Sequence, residues 1–235
     1  MAVPSTPRQN HLLAALPEAI YERLLPSLEL VPMPLGEVIY TSGSELPYLY
    51  FPTTCIVSLV YVMADGASAE IAVTGYEGLL GVAVFLGGHT APNQAVVQSG
   101  GHAYRIRADV MKDEFDHGGP LQHLLLLYTQ ALIAQMAQTA VCNRHHSLDK
   151  QLCRWLLLSL DRLRSGELTM TQELIANMLG VRRQGVAEAA RNLQKAGLID
   201  YHRGRINVLD RPGLEARVCE CYAVVKQEYD RLLPG

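Results

Sequence analysis

From Leu24 to Tyr104 the chain has no lysine and no arginine, only six acids: Glu29, Glu37, Glu45, Asp65, Glu70 and Glu77. A phosphate buried within that stretch would lack a charge partner, and glycine amides alone seldom hold one tightly. A second absence runs from His117 to Asn143, where no residue is formally charged and Leu124 to Leu127 are consecutive leucines. Gln122, His123, Gln130, Gln135 and Gln138 interrupt that stretch, more amides than a lipid-facing helix carries. A long helix buried against a partner is expected there, and no membrane. The five cysteines are odd in number and irregularly spaced, which excludes a secreted disulfide framework and fits a reducing cytoplasm. Met1 to Asn10 holds two prolines and no apolar run, so no signal peptide is expected. Paired acid/base spacing, a nucleophile motif and a phosphate loop are all missing, and an enzyme is not expected.

The chain has 235 residues, 49% hydrophobic and 18% charged, enough for two modest cores. Its net charge of −3 is unevenly spread. Residues 1–143 carry −7, residues 144–217 carry +5, and residues 218–235 carry −1. A basic segment of that size suits phosphate binding, because neutralised phosphates release condensed counterions.

The hydrophobic pattern changes twice. Leu12, Leu13, Leu16, Ile20 and Leu24 form a helical stripe over 11–25. Short β-rich runs follow at Val38–Tyr40, Tyr48–Phe51, Ile56–Met63, Ala69–Val73, Ala95–Gln98 and His102–Ile106, separated by glycine-rich turns. Such spacing indicates an antiparallel sandwich or barrel. Gly119-Pro120 then starts the uncharged helix, a further helix is expected around Lys150 to Leu163, and Ser165-Gly166 breaks the chain. The fold class is α+β.

The most informative stretch is Leu168 to Leu209. Thr169 and Gln172 fit a capping box, so a helix should begin near Thr171 with Leu174, Ile175, Met178 and Leu179 inward. Gly180 stands where that helix must stop. In the next helix Val186, Ala189, Ala190 and Leu193 make the apolar face, and Gln184, Glu188, Arg191 and Lys195 the opposite one. Arg182 and Arg183 lie in its first turn, where cations oppose the helix dipole and serve no stabilising purpose. Recognition helices enter the major groove with that end against base edges. Arg pairs with guanine, Gln with adenine, and Glu accepts from cytosine. Gly185 and Ala187 are small enough for close backbone approach to DNA. Two strands around His202-Arg203-Gly204 form a wing, with Arg203 and Arg205 aimed at phosphate. Thr171, Gln172, Arg182, Arg183, Gln184, Glu188, Arg191, Arg203 and Arg205 are the candidate DNA-binding residues.

With these pieces in order, the chain resembles the CRP/FNR family of bacterial transcription regulators over nearly its whole length. The match rests on the glycine-punctuated barrel, the long helix, and Thr171-Gln172-Glu173 followed by Leu179-Gly180-Val181-Arg182-Arg183-Gln184-Gly185-Val186. The resemblance implies a cyclic-nucleotide-binding-like sensor barrel (1–117), a dimerisation helix and hinge (118–146), and a winged helix-turn-helix (147–235). It further implies a homodimer on a palindromic operator, with recognition helices ~34 Å apart, and RNA polymerase as a further partner. On the long helix, Leu121, Leu125, Tyr128, Leu132 and Met136 are the expected dimer seam.

The effector is less legible. Family members that bind cyclic nucleotides use a Gly-Glu pair and a downstream Arg. Gly75-Tyr76-Glu77-Gly78-Leu79 resembles the first with one extra residue, and Pro92-Asn93-Gln94-Ala95 stands where the Arg is expected. Gly75, Glu77, Gly78, Leu79, Gln94 and Ala95 are thus the candidate effector pocket, and cAMP is disfavoured. So is an iron-sulfur cluster, because Cys55 is the sole cysteine before Cys142. Haem on His89 or His102 is disfavoured too. Cys219 and Cys221 would point about 200° apart on a helix, His145-His146 reads as a solvated hinge, and no metal site is expected. The barrel is left as an effector sensor or a scaffold, with a redox role for the cysteines as a further alternative.

Overall fold

Six strands follow the alternating runs: β2 (Val38–Tyr40), β3 (Tyr48–Pro52), β4 (Ile56–Val62), β5 (Ser68–Thr74), β6 (Gln94–Ser99) and β7 (Gly101–Arg107). The computed structural model describes residues 6–163 and 167–233; the stretch 1–5 and the expected break at Ser165-Gly166 lie outside them. A seventh strand, β1 (Glu29–Met33), carries Pro32 and a mostly exposed pattern, so alternation did not reveal it. The strands form two antiparallel sheets, β1-β7-β3 and β2-β6-β4-β5. Leu49, Phe51, Val57, Leu59, Ala95, Val97 and Ile106 fill the space they enclose.

Pro17 splits the first helical stripe into α1 (His11–Ala14) and α2 (Glu18–Leu24). After the barrel come α3 (Ala108–Asp116), the long α4 (Pro120–His145) and α5 (Leu148–Leu160). The C-terminal part holds β8 (Glu167–Thr169), α6 (Gln172–Leu179), α7 (Arg183–Lys195), β9 (Ile199–His202), β10 (Arg205–Val208), α8 (Arg211–Arg217) and α9 (Glu220–Leu232).

The stripe expected as the dimer seam is the face of α4 turned inward, toward the barrel. Leu121, Leu125, Tyr128 and Leu132 are buried in the barrel's own core, and Met136 packs against it. Each such burial stabilises the protomer by ~1.5–3 kcal/mol, so that stripe is already occupied. The face left open carries His123, Leu126, Gln130, Ile133, Ala137, Ala140 and Arg144, at steps of three and four, with Val141 beside it. Leu126 is 46% and Ile133 60% exposed. By length and composition α4 could cross a membrane; its lack of charge is explained by apolar residues on two faces, one of them against the barrel.

Helix α5 is a wedge. Every residue from Gln151 to Leu160 is buried. Its leucines share one core with Ile56 and Val73 of the barrel and with Val186, Ala189, Ala190 and Leu193 of α7. Helix α9 returns along α4, and Tyr229 contacts both cores.

Candidate DNA-binding surface and effector region

Helix α6 begins at Gln172, close to the expected Thr171, but Thr169 of the expected capping box is not its cap. Thr169 sits in β8 opposite Arg205, and Thr171 is the N-cap, its hydroxyl accepting from Leu174 N at 3.3 Å. Ile175, Ala176, Met178 and Leu179 are buried, while Leu174 is 40% exposed. Gly180 ends the helix at φ 65°, ψ 35°, the left-handed conformation expected of it.

Helix α7 starts at Arg183 with Arg182 as its N-cap, and its first turn contains no acid. Arg182, Arg183, Gln184, Glu188 and Arg191 are all exposed, on the face opposite the buried Val186, Ala189, Ala190 and Leu193. The nearest counter-charge to Arg183 is Glu173 at 4.0 Å, between two well-exposed side chains, a weak interaction in water. A Cβ on Gly185 would lie 2.8 Å from Leu148 Cδ2, the end of a flexible side chain, so glycine there eases the seating of α7 on α5.

The wing is a three-stranded sheet, β8-β10-β9. Its tip is a two-residue turn, Arg203 at φ 49° and Gly204 at φ 79°, a mirror-image turn that matches strand twist. Thr171, Gln172, Arg183 and Arg203 line one groove between the recognition helix and this tip. Arg205 is exposed at the start of β10. An exposed helix N-terminus, a basic wing and a shared groove together form a surface able to accept anionic duplex.

The effector candidates are arranged differently. Gly75, Glu77, Gly78 and Leu79 follow β5, whereas Gln94 and Ala95 lie on β6, with Ala95 fully buried. Glu77 accepts from Arg162 Nε at 2.6 Å, and both side chains are largely buried. Burial alone would lower the Arg162 pKa, yet Glu77, Tyr229 and Asp161 together outweigh it and leave the net shift upward. Tyr128 donates to Leu79 O at 2.8 Å, and a Cβ on Gly78 would meet the Tyr128 ring at 2.5 Å. The glycine-glutamate segment therefore locks barrel, α4 and the end of α5 together. Tyr76 adds a bond from its hydroxyl to Asp161 O at 2.9 Å. Beside the ion pair lies a cleft of about 580 Å³ lined by His11, Tyr76, Asp161, Lys226 and Tyr229. Arg162 lies 85 positions from Glu77, beyond the barrel segment, so no local spacing pairs the two.

The cysteines also depart from expectation. Cys142, Cys219, Cys221 and His146 place their ligand atoms within 4.8 Å of one another. The opposed-sulfur expectation required both Cys219 and Cys221 to be helical. Cys219 is instead the N-cap of α9, at φ −77°, ψ 164°, and His146 is the extended C-cap of α4. Cap geometry turns these side chains toward a common point.

The comparisons agree with the two-part organisation. Residues 150–217 match the Crp-like helix-turn-helix domain, and residues 30–117 the cyclic nucleotide-binding domain. Together the matches span well over half of the chain, in barrel-then-helix-turn-helix order. The chain belongs to the CRP/FNR family. Its fold resembles a crp/fnr-family member from Eubacterium rectale, at 18% identity and TM-score 0.70 over 89% of this chain and 98% of that one. FixK2 from Bradyrhizobium japonicum aligns at 16% identity and TM-score 0.68, over 82% and 98%. The c-di-GMP responsive regulator CLP from Xanthomonas campestris aligns at 14% identity and TM-score 0.63, over 83% and 100%. No curated protein sequence is a significant match. This CRP/FNR chain is a transcription regulator with a helix-turn-helix DNA-binding domain.

Proposed function

We propose that the protein is a cytoplasmic, sequence-specific regulator that binds a palindromic operator as a homodimer. The carrying observation is the exposed N-terminal end of α7, where Arg182 and Arg183 stand without an acid in the first turn. Arg183, Gln184 and Glu188 read bases; Arg182, Arg191, Arg203 and Arg205 hold phosphate, with Thr171 and Gln172 at the groove wall. Residues 1–117 act as the sensor or scaffold, 118–146 dimerise, and 147–235 bind DNA. The dimer seam in this reading is the open α4 face, Leu126, Gln130, Ile133, Ala137 and Ala140, whose heptad spacing suits a two-stranded coiled coil. Contact with RNA polymerase follows from family membership alone.

The barrel does not take cAMP in this reading. Arg162 reaches the Glu77 segment, and Glu77 already holds it. A cyclic phosphate would have to break that pair. Selection of bound duplexes from a random pool tests the reading: an inverted repeat with half-sites one helical turn apart should be enriched. An unstructured pool after selection would refute it.

A further inference from the structure

We propose that Cys142, His146, Cys219 and Cys221 form a tetrahedral Cys₃His site for a zinc-class divalent ion, and that this ion staples the hinge between α4 and the DNA-binding part. The observed spacings suit one small ion. Cys142 Sγ and Cys219 Sγ are 3.6 Å apart, and Cys221 Sγ and His146 Nδ1 are 3.4 Å apart. With Zn–S near 2.3 Å and Zn–N near 2.0–2.1 Å, a tetrahedron requires neighbouring ligand atoms ~3.5–3.8 Å apart. Ligand atoms that all lie within 4.8 Å of one another are too close to surround a multi-iron cluster. Soft thiolates with one imidazole select zinc over the hard cations.

The outer groups are in place as well. His146 turns Nδ1 to the site, and its Nε2 lies 3.4 Å from Glu220 Oε1, the carboxylate–histidine arrangement that fixes a metal-binding ring. Gln138 Nε2 donates to Cys221 Sγ at 3.1 Å. All three cysteines are buried and His146 is half-buried, so the site is closed in the manner of structural zinc. Cys219 is the N-cap of helix α9, and Cys221 lies in its first turn.

Position gives the site its consequence. Cys142 and His146 belong to the last turn and C-cap of α4, and Cys219 and Cys221 to the start of α9. An ion there fixes the angle at which α5 leaves the long helix. Regulation of DNA affinity by that ion rests on the function proposed above; the binding site itself does not.

The test uses the full-length chain, reduced and metal-free, titrated with Co(II) and then Zn(II). One Co(II) per chain should bind with the intense visible bands of a tetrahedral thiolate site, and Zn(II) should displace it. Cys219→Ser should abolish those bands, and the exposed Glu220→Gln should weaken binding about 10–100-fold, while Cys55→Ser and Cys153→Ser retain them. His146→Gln, outside the buried thiols, guards against a cysteine variant that fails to fold and should also weaken binding. Reduced protein without tetrahedral bands, or equal loss in Cys55→Ser, would overturn the site. So would a Cys142–Cys219 disulfide as the sole chemistry of the cluster. On operator DNA, zinc should change affinity at least about tenfold; unchanged affinity with the ion bound would overturn the hinge role alone, and the cobalt readout needs no DNA.

Discussion

Glu77 Oε1 accepts from Arg162 Nε at 2.6 Å, which joins the barrel to the helix that enters the DNA-binding part. Arg162 also donates from Nη1 to Leu158 O at 2.8 Å, so its guanidinium is held from both sides. Arg162→Ala would leave a carboxylate largely buried without its cation, a loss of ~3–5 kcal/mol. Urea unfolding should show that loss, and Glu77→Gln with Arg162→Met should recover most of it. A loss below ~1 kcal/mol in the single variant would mean the pair contributes little.

Reading and holding should separate by mutation. Arg183→Ala should cost ~1–3 kcal/mol on the preferred site and relax base choice there. At the wing, Arg203→Asn is the better probe, because Asn tolerates the left-handed φ of 49°. It should weaken all sequences alike and lower the salt slope by about 1. Competition binding against single-base operator variants distinguishes the two; equal loss of specificity from both contradicts the division.

The dimer seam gives an opposed pair of outcomes. Ile133 is 60% exposed on α4 and Leu125 is fully buried on the barrel side. Ile133→Glu should leave the protomer folded and raise the dimer dissociation constant at least about a hundredfold, since two-fold symmetry buries two unpaired carboxylates. Leu125→Glu should unfold the protomer. Sedimentation velocity and circular dichroism together decide which face pairs.

Glu70 makes stability depend on pH. Burial pushes its carboxyl up to about 7, against the opposing pull of Ser58, Arg154, Trp155 and Arg162. Its Oε2, Arg154 Nε and Trp155 Nε1 have no hydrogen-bond partner among the described residues. A raised folded pKa means the native state binds the extra proton between the ordinary carboxyl range and pH 7. Stability from this group is therefore present in full at low pH and lost as pH rises through about 7, a change of ~3 kcal/mol. Glu70→Gln should flatten that slope and stabilise the protein at pH 8; an unchanged slope would contradict the assignment.

The six strands β2–β7 and the helix-turn-helix were legible because local signals suffice for them: alternation, the apolar face of α7, and Gly180 at a helix end. The long helix was legible as a helix but not in its orientation. Both of its faces are apolar, so spacing alone could not say that Leu125 meets the barrel and Ile133 the solvent. Strand β1 was hidden by Pro32 and its exposed pattern. The Arg162–Glu77 pair and the Cys142–Cys219 approach join residues 85 and 77 positions apart, and only tertiary folding brings such partners together. The convergence of Cys219 with Cys221 depended on one cap residue leaving helical geometry, which a helical wheel cannot represent.

The most direct test of the central claim is a salt titration of the purified protein on its own upstream DNA and on random duplex of equal length. A DNA-reading dimer predicts tighter binding to the upstream site, by about a thousandfold or more, with log K falling steeply and linearly against log[salt]. Equal affinity for both duplexes, or binding indifferent to salt, would contradict it.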